Sequence, residues 1–233
     1  MTTRTTARLV GALFILASVT AIVGGTMVHP VEGGDLAEIA DQEILIASGF
    51  LLELVLVASV VGIAVLLFPV LRRGDEGLAL GYVAARIIEA TLLLVAALAA
   101  LVILAVAREP VTAPDPAVVT AAFVSLRTWT YLVGSMLALG VGALILYWLL
   151  YRSRVVPAWL SLWGLVGAAL IAIRAIVEIY GIELDPAVQG AFAAPIALNE
   201  MVLAVWLIAK GFDERHLPVA RRTEPSRALQ EAS

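Results

Sequence analysis

Six stretches of this 233-residue chain stay apolar for long enough to cross a lipid bilayer. A helix needs about 20 residues to span about 30 Å of hydrocarbon, and the runs at 7–28, 44–71, 78–106, 120–151, 157–181 and 191–212 all meet that length. In lipid a spanning segment has no water to satisfy its backbone N–H and C=O groups, so uninterrupted runs of this kind fold as helices. The fold class implied is all-α, a polytopic membrane helix bundle with six transmembrane helices. Several runs exceed the minimum, which permits tilt. Composition agrees, with 62% hydrophobic and 15% charged residues, where soluble domains have roughly half and a quarter.

An even number of spans puts both ends of the chain on one side. Lys and Arg concentrate in cytoplasmic loops and tails, and here Arg4, Arg8, Arg72, Arg73, Arg152, Arg154, Lys210, Arg215, Arg221, Arg222 and Arg227 share a side, with Arg108 alone opposite. Both termini are therefore expected in the cytoplasm and the chain in a cytoplasmic (inner) membrane of bacterial type. The opposite face is acidic, carrying Glu32, Asp35, Glu38, Asp41 and Glu43, then Glu183 and Asp185. A polarised molecule of this kind gives no support to nucleic-acid binding; its expected partner is the lipid bilayer. Tyr82, Trp148, Tyr151, Trp159, Trp163 and Trp206 are assigned to an inner aromatic belt, and Trp129, Tyr131 and Tyr180 to an outer one.

Arg4 and Arg8 ahead of an apolar core resemble a secretory signal, but 17–28 offer no clear small-x-small cleavage site, so an uncleaved first helix is expected. The outer loop from His29 to Glu43 is short. The stretch 107–119, with Pro110, Pro114 and Pro116, cannot be one continuous helix. Pro69 should kink or fray the inner end of its helix. From Asp213 the polar tail, 213–233, with Pro218 and Pro225, reads as a short disordered cytoplasmic segment. Small residues four apart form ridges at Ala17, Ala21 and Gly25, at Gly134, Ala138 and Gly142, and at Gly164, Ala168 and Ala172. Such ridges let helix backbones approach closely in lipid; packing within the bundle is the first use for them, a dimer seam the second.

Seven ionisable side chains lie inside the apolar runs: Glu53, Arg86, Glu89, Arg127, Arg174, Glu178 and Glu200. A charge at bilayer depth is costly, faces the bundle interior and marks either a structural lock or a functional site. Arg86 and Glu89 are three residues apart and Arg174 and Glu178 four, so each pair shares a helix face. At about 1.5 Å per residue most of the seven fall where they could meet in the outer half of one interior. Three arginines face four carboxylates, so one carboxylate is left over; Glu53 and Glu200 are the candidates, since neither has a basic neighbour on its own helix. Three readings stay open: a polar lock that fixes helix register, a site for a small anionic or zwitterionic ligand held by arginine forks, and a proton relay.

Other chemistry is narrowed by what the chain lacks. There is no cysteine, and of two histidines His29 is in a loop and His216 in the tail, too far apart in depth to share a metal. No metal site and no cofactor are expected. With no Gly-rich phosphate loop, nucleotide hydrolysis is unsupported, and only carboxylate chemistry would remain for a membrane enzyme.

The blocks LFPVLRR at 67–73, GLALGYVAARIIE at 77–89, LYRSRVVPAWLSLWGLVGAAL at 150–170 and VWLIAKGF at 205–212 resemble, in combination, the bacterial domain-of-unknown-function family numbered 4386. The resemblance runs from the first helix to Phe212. It implies a compact integral membrane protein of about six or more helices and supplies no activity, substrate, cofactor or catalytic residue. In LRTWTYLVGS at 126–135 the resemblance leads one to expect a His-Asp pair where Arg127 and Thr128 stand. Glu89 and Glu200 match positions where similar sequences carry glutamate.

The function expected is binding or transport of a small solute through the intramembrane charges, with a small molecule or a proton as partner. The alternative is a non-transporting sensor or partner subunit whose buried charges are a lock.

Overall fold

The computed structural model describes residues 2–109, 115–213 and 215, so the expectations for Pro110, Pro114, His216 and the tail past Arg215 fall outside the described residues. Within them the chain is helical: α1 (Thr3–Val28), α2 (Pro30–Gly33), α3 (Leu36–Asp41), α4 (Glu43–Leu71), α5 (Glu76–Arg108), α6 (Pro116–Leu132), a π-helical turn (Val133–Ala138), α7 (Leu139–Ser153), α8 (Ala158–Ile179) and α9 (Pro186–Ala209). With α6, the π turn and α7 forming one continuous rod, six helices are long and apolar enough to cross a membrane. This is a multi-pass membrane helix bundle.

Local chemistry sets the helix starts. Thr2, Asp35, Asp75, Asp115 and Asp185 each accept a hydrogen bond from a first-turn N–H of the helix that follows, satisfying donors that have no partner within the helix. Asp115 and Asp185 are followed by Pro116 and Pro186 at the first helical position, where a missing N–H costs nothing. Polar caps therefore begin α6 and α9 several residues before the apolar runs at 120 and 191. Pro69 lies within α4, two residues short of its end at Leu71. The loop from His29 to Gln42 is more ordered than its composition suggests: α2 and α3 fold back so that Val31 and Ile39 pack with Ile103 and Leu104 of α5.

The long helices form a closed ring. In order around it come α1, α4, α5, the α6–π–α7 rod, α8 and α9, and α9 returns to α1. Glycines set the closest approaches. A Cβ at Gly49 would lie 2.8 Å from Met27 Cβ, one at Gly140 2.8 Å from Ala172 Cβ, and one at Gly11 2.6 Å from the Ala204 carbonyl. At Gly164 the Tyr147 ring occupies the place of a side chain, 2.3 Å from where a Cβ would sit. The ridges at 134–142 and 164–172 thus pack inside the bundle. On α1 the ridge is displaced: a Cβ at Gly25 would meet nothing within 4 Å, while one at Gly24 would stand 3.1 Å from Leu52.

These contacts explain the shape of the interior. Near the basic end α1 and α9 touch at Gly11 and Ala204; toward the acidic end α1 follows α4 through Gly24 and Gly49, and α9 follows α8, with Gly167 against Ile196. The two helices that close the ring therefore part toward the acidic end. The largest apolar core, with Phe14, Tyr82, Tyr147 and Leu203, fills the basic half. Tyr82 is fully buried there and does not belong to an interfacial belt; Trp148, Trp159 and Tyr180 are exposed.

Replacing Gly164 by alanine should destabilise the bundle by about 1–3 kcal/mol through overpacking against Tyr147. Gly25→Ala, with open space around it, should leave stability unchanged or raise it by about 0.5–1 kcal/mol through helix propensity. Reversible unfolding of both variants in one detergent checks the ordering.

Candidate functional site

A guanidinium in the interior of a bundle needs a carboxylate close by, and each of the three buried arginines finds one, although Nε of Arg86 and of Arg127 is left without a hydrogen-bond partner. Arg127 of α6 donates from Nη2 to Glu53 Oε1 at 2.6 Å and from Nη1 to Glu53 Oε2 at 3.1 Å, with Nη1 also donating to the Ala96 carbonyl of α5 at 2.9 Å. This two-pronged pair joins three helices and is buried on both sides. The Tyr131 ring, one turn along α6, lies 6.0 Å from the guanidinium carbon. Arg86 and Glu89 pair within α5 at 2.7 Å, both buried, with Tyr82 stacked below at 5.8 Å. Arg174 donates from Nε to Glu178 at 2.8 Å and from Nη1 and Nη2 to the backbone and side-chain oxygens of Gln189 at 3.2 and 2.8 Å. Gln189 in turn donates to the Leu184 carbonyl, so Arg174 ties α8 to the start of α9.

Glu200 is the remaining carboxylate. No described residue pairs with it or hydrogen-bonds to it. It projects into a cavity of about 360 Å³ in the gap left where α1 and α9 part, and Arg86, Glu89 and Arg174 line the same space. The rest of the wall is mostly apolar, including Phe14, Leu56, Leu93 and Ile171, with Tyr131 and Ser135 adding hydroxyls. The lining reaches the lateral surface between α1 and α9, where Ile22 is 69% exposed and Ala197 is exposed too. These two lining residues lie on the flank of the bundle, at the seam of α1 and α9.

The seven residues singled out in the sequence thus divide. Arg86, Glu89, Arg174 and Glu200 share the cavity; Glu178 backs it through Arg174; Glu53 and Arg127 form a separate cross-link that does not line it. Four participants escaped the sequence reading. Gln189 and the fully buried Asn199, whose Nδ2 donates to the Leu160 carbonyl, are uncharged polar residues in apolar surroundings and answer to the same test that found the charges. Ser135 and Met136 reach the cavity because the π turn carries them there. An i→i+5 turn widens a helix by one residue and is common at functional sites; Gly134 against Leu92 is its nearest sequence trace.

Truncating one member of the Arg127–Glu53 pair should cost about 3–5 kcal/mol, because it strands the other in the interior. In Glu53→Leu with Arg127→Met most of that loss should be recovered. A double-mutant cycle on thermal unfolding checks this, and additive losses would count against the pairing.

No curated protein and no solved structure matches the chain. The family model described as a domain of unknown function, DUF4386, matches residues 9–211. Nearly the whole bundle, cavity included, lies within that match, and the chain belongs to this family of unknown function.

Proposed function

We propose that the cavity between α1 and α9 binds or moves a small amphiphilic solute whose cationic group is held by Glu200. The observation that carries this reading is the charge arrangement: every buried arginine is already bonded to another carboxylate, whereas Glu200 stands in the cavity without a hydrogen bond or ion pair, acted on by Arg86 only through space. A carboxylate so placed favours a cation or a zwitterion over a simple anion, and a zwitterion could direct its negative end to Arg86 or Arg174 on the same wall. A volume of about 360 Å³ falls within the range of about 300–1,000 Å³ usual for small-molecule sites, and the mostly apolar lining suits a short hydrocarbon tail. Both termini lie in the cytoplasm on this reading, by the distribution of Lys and Arg.

A second reading is favoured for one part of the set. The Arg127–Glu53 pair, buried, two-pronged and away from the cavity, acts as a polar lock on helix register.

The test uses three short amphiphiles with one tail: hexylphosphocholine, hexyltrimethylammonium and hexyl phosphate, each below its micelle-forming concentration. The zwitterion and the cation should raise the melting temperature saturably in wild type and not in Glu200→Gln, and hexyl phosphate should do neither. Stabilisation that survives Glu200→Gln, or that hexyl phosphate alone provides, would sink the proposal.

A further inference from the structure

The basic end of the bundle carries a second concave site, remote from Glu200. The linker between α7 and α8 and the end of α9 enclose a pocket of about 630 Å³ with Arg154, Lys210 and Arg215 on its rim and Trp206 on its wall. Beside it a smaller hollow of about 360 Å³ holds Arg73 and Arg152, and Arg154 belongs to both. The acids nearby are engaged: Asp213 receives Arg215 at 2.9 Å, and Asp75 caps α5 through the Leu78 N–H at 3.0 Å. Among the described residues Arg73, Arg152, Arg154 and Lys210 have no carboxylate within ion-pair distance.

Arg154 is the informative member. It ends α7 with φ at 53°, the single positive φ outside glycine among the described residues. Helix ends of this shape are normally given to glycine, which has no side chain to strain, as Gly211 does after α9 with φ at 76°. An arginine held in that conformation, at the wall shared by two hollows, puts a guanidinium where the fold itself prefers none. Pro157 and Ala158 line the larger pocket as α8 starts there without a side-chain cap, which adds the positive end of a helix to the field of the cations.

We propose that this paired hollow binds a phosphate-bearing anion, and that its source is the headgroup of an anionic phospholipid. The hollow lies at the end of the spanning helices, where headgroups are found, and Trp206 gives it the amphipathic wall that suits the membrane interface. Basic pockets between spanning helices are known to take such headgroups.

The experiment measures retention of dioleoylphosphatidylglycerol against dioleoylphosphatidylcholine by native mass spectrometry of the full chain, alongside melting temperature with inorganic phosphate. Wild type should retain the anionic lipid by at least about fivefold, the size of one surface charge contact. The preference should vanish in Arg154→Gly combined with Lys210→Gln. Arg154→Gly alone should be at least as stable as wild type, since it relieves the backbone, yet bind the anionic lipid more weakly, which separates binding from folding. Arg72→Gln, a basic-end charge outside both hollows that stacks on Phe68, should keep the preference. Saturable stabilisation by inorganic phosphate that depends on Arg154 and Lys210 would support the anion site with a soluble source. Absence of any preference, or an equal loss in Arg72→Gln, would overturn the proposal.

Discussion

A guanidinium that leaves water has to be neutralised where it lands, and the interior of this bundle is arranged around that requirement. Each of the three buried arginines is matched, two by a carboxylate on the same helix and one by a carboxylate two helices away around the ring. The matches do more than cancel charge. Arg127 joins α4, α5 and α6, and Arg174 joins α8 to the first turn of α9 through Gln189. With each arginine bonded to another carboxylate, the fourth carboxylate is left without an ion pair of its own, although Arg86, whose buried Nε has no hydrogen-bond partner, acts on it through space. Its place in the cavity is thus a result of how the other six charges are used.

Packing supplies the space. Helices in lipid gain nothing from hiding apolar surface from one another, so close approach at small residues decides which faces meet. Here α1 is drawn to α4 and α9 to α8 at one end, while Gly11 and Ala204 hold α1 to α9 at the other. A ring pinned in this way gapes on one side. The π turn at Val133–Ala138 then turns Ser135 and Met136 toward the gap from the far wall.

How much of this was legible in the sequence depended on distance along the chain. Helix number and class followed from apolar run length, and the Arg86–Glu89 and Arg174–Glu178 pairs from spacing on one helix. Counting signs showed one carboxylate in excess but could not choose between Glu53 and Glu200, because the choice is made by Arg127, 74 residues from Glu53. Which helix lies beside which is a property of packing and leaves no periodic trace. Tyr82 and Tyr131 carry an aromatic signature that fits an interface, yet the first is sealed in the core and the second lines the cavity. Gly24 and Gly25 are equivalent as letters; only the rotation of α1 assigns the contact to Gly24.

That the cavity lining reaches Ile22 and Ala197, both exposed on the flank of the bundle, has a consequence for how binding there is to be quantified. A compound that enters from among the acyl chains is sampled at its concentration in the hydrocarbon phase, not in the buffer. Each methylene of a tail favours transfer into that phase by about 0.8 kcal/mol, roughly a fourfold enrichment. Half-saturation expressed per litre of water would therefore shift with the amount of lipid or detergent present, and tail length would alter it without touching the protein. Expressed as a mole fraction of the bilayer, the same binding would be constant, and only then would the headgroup's own contribution become visible.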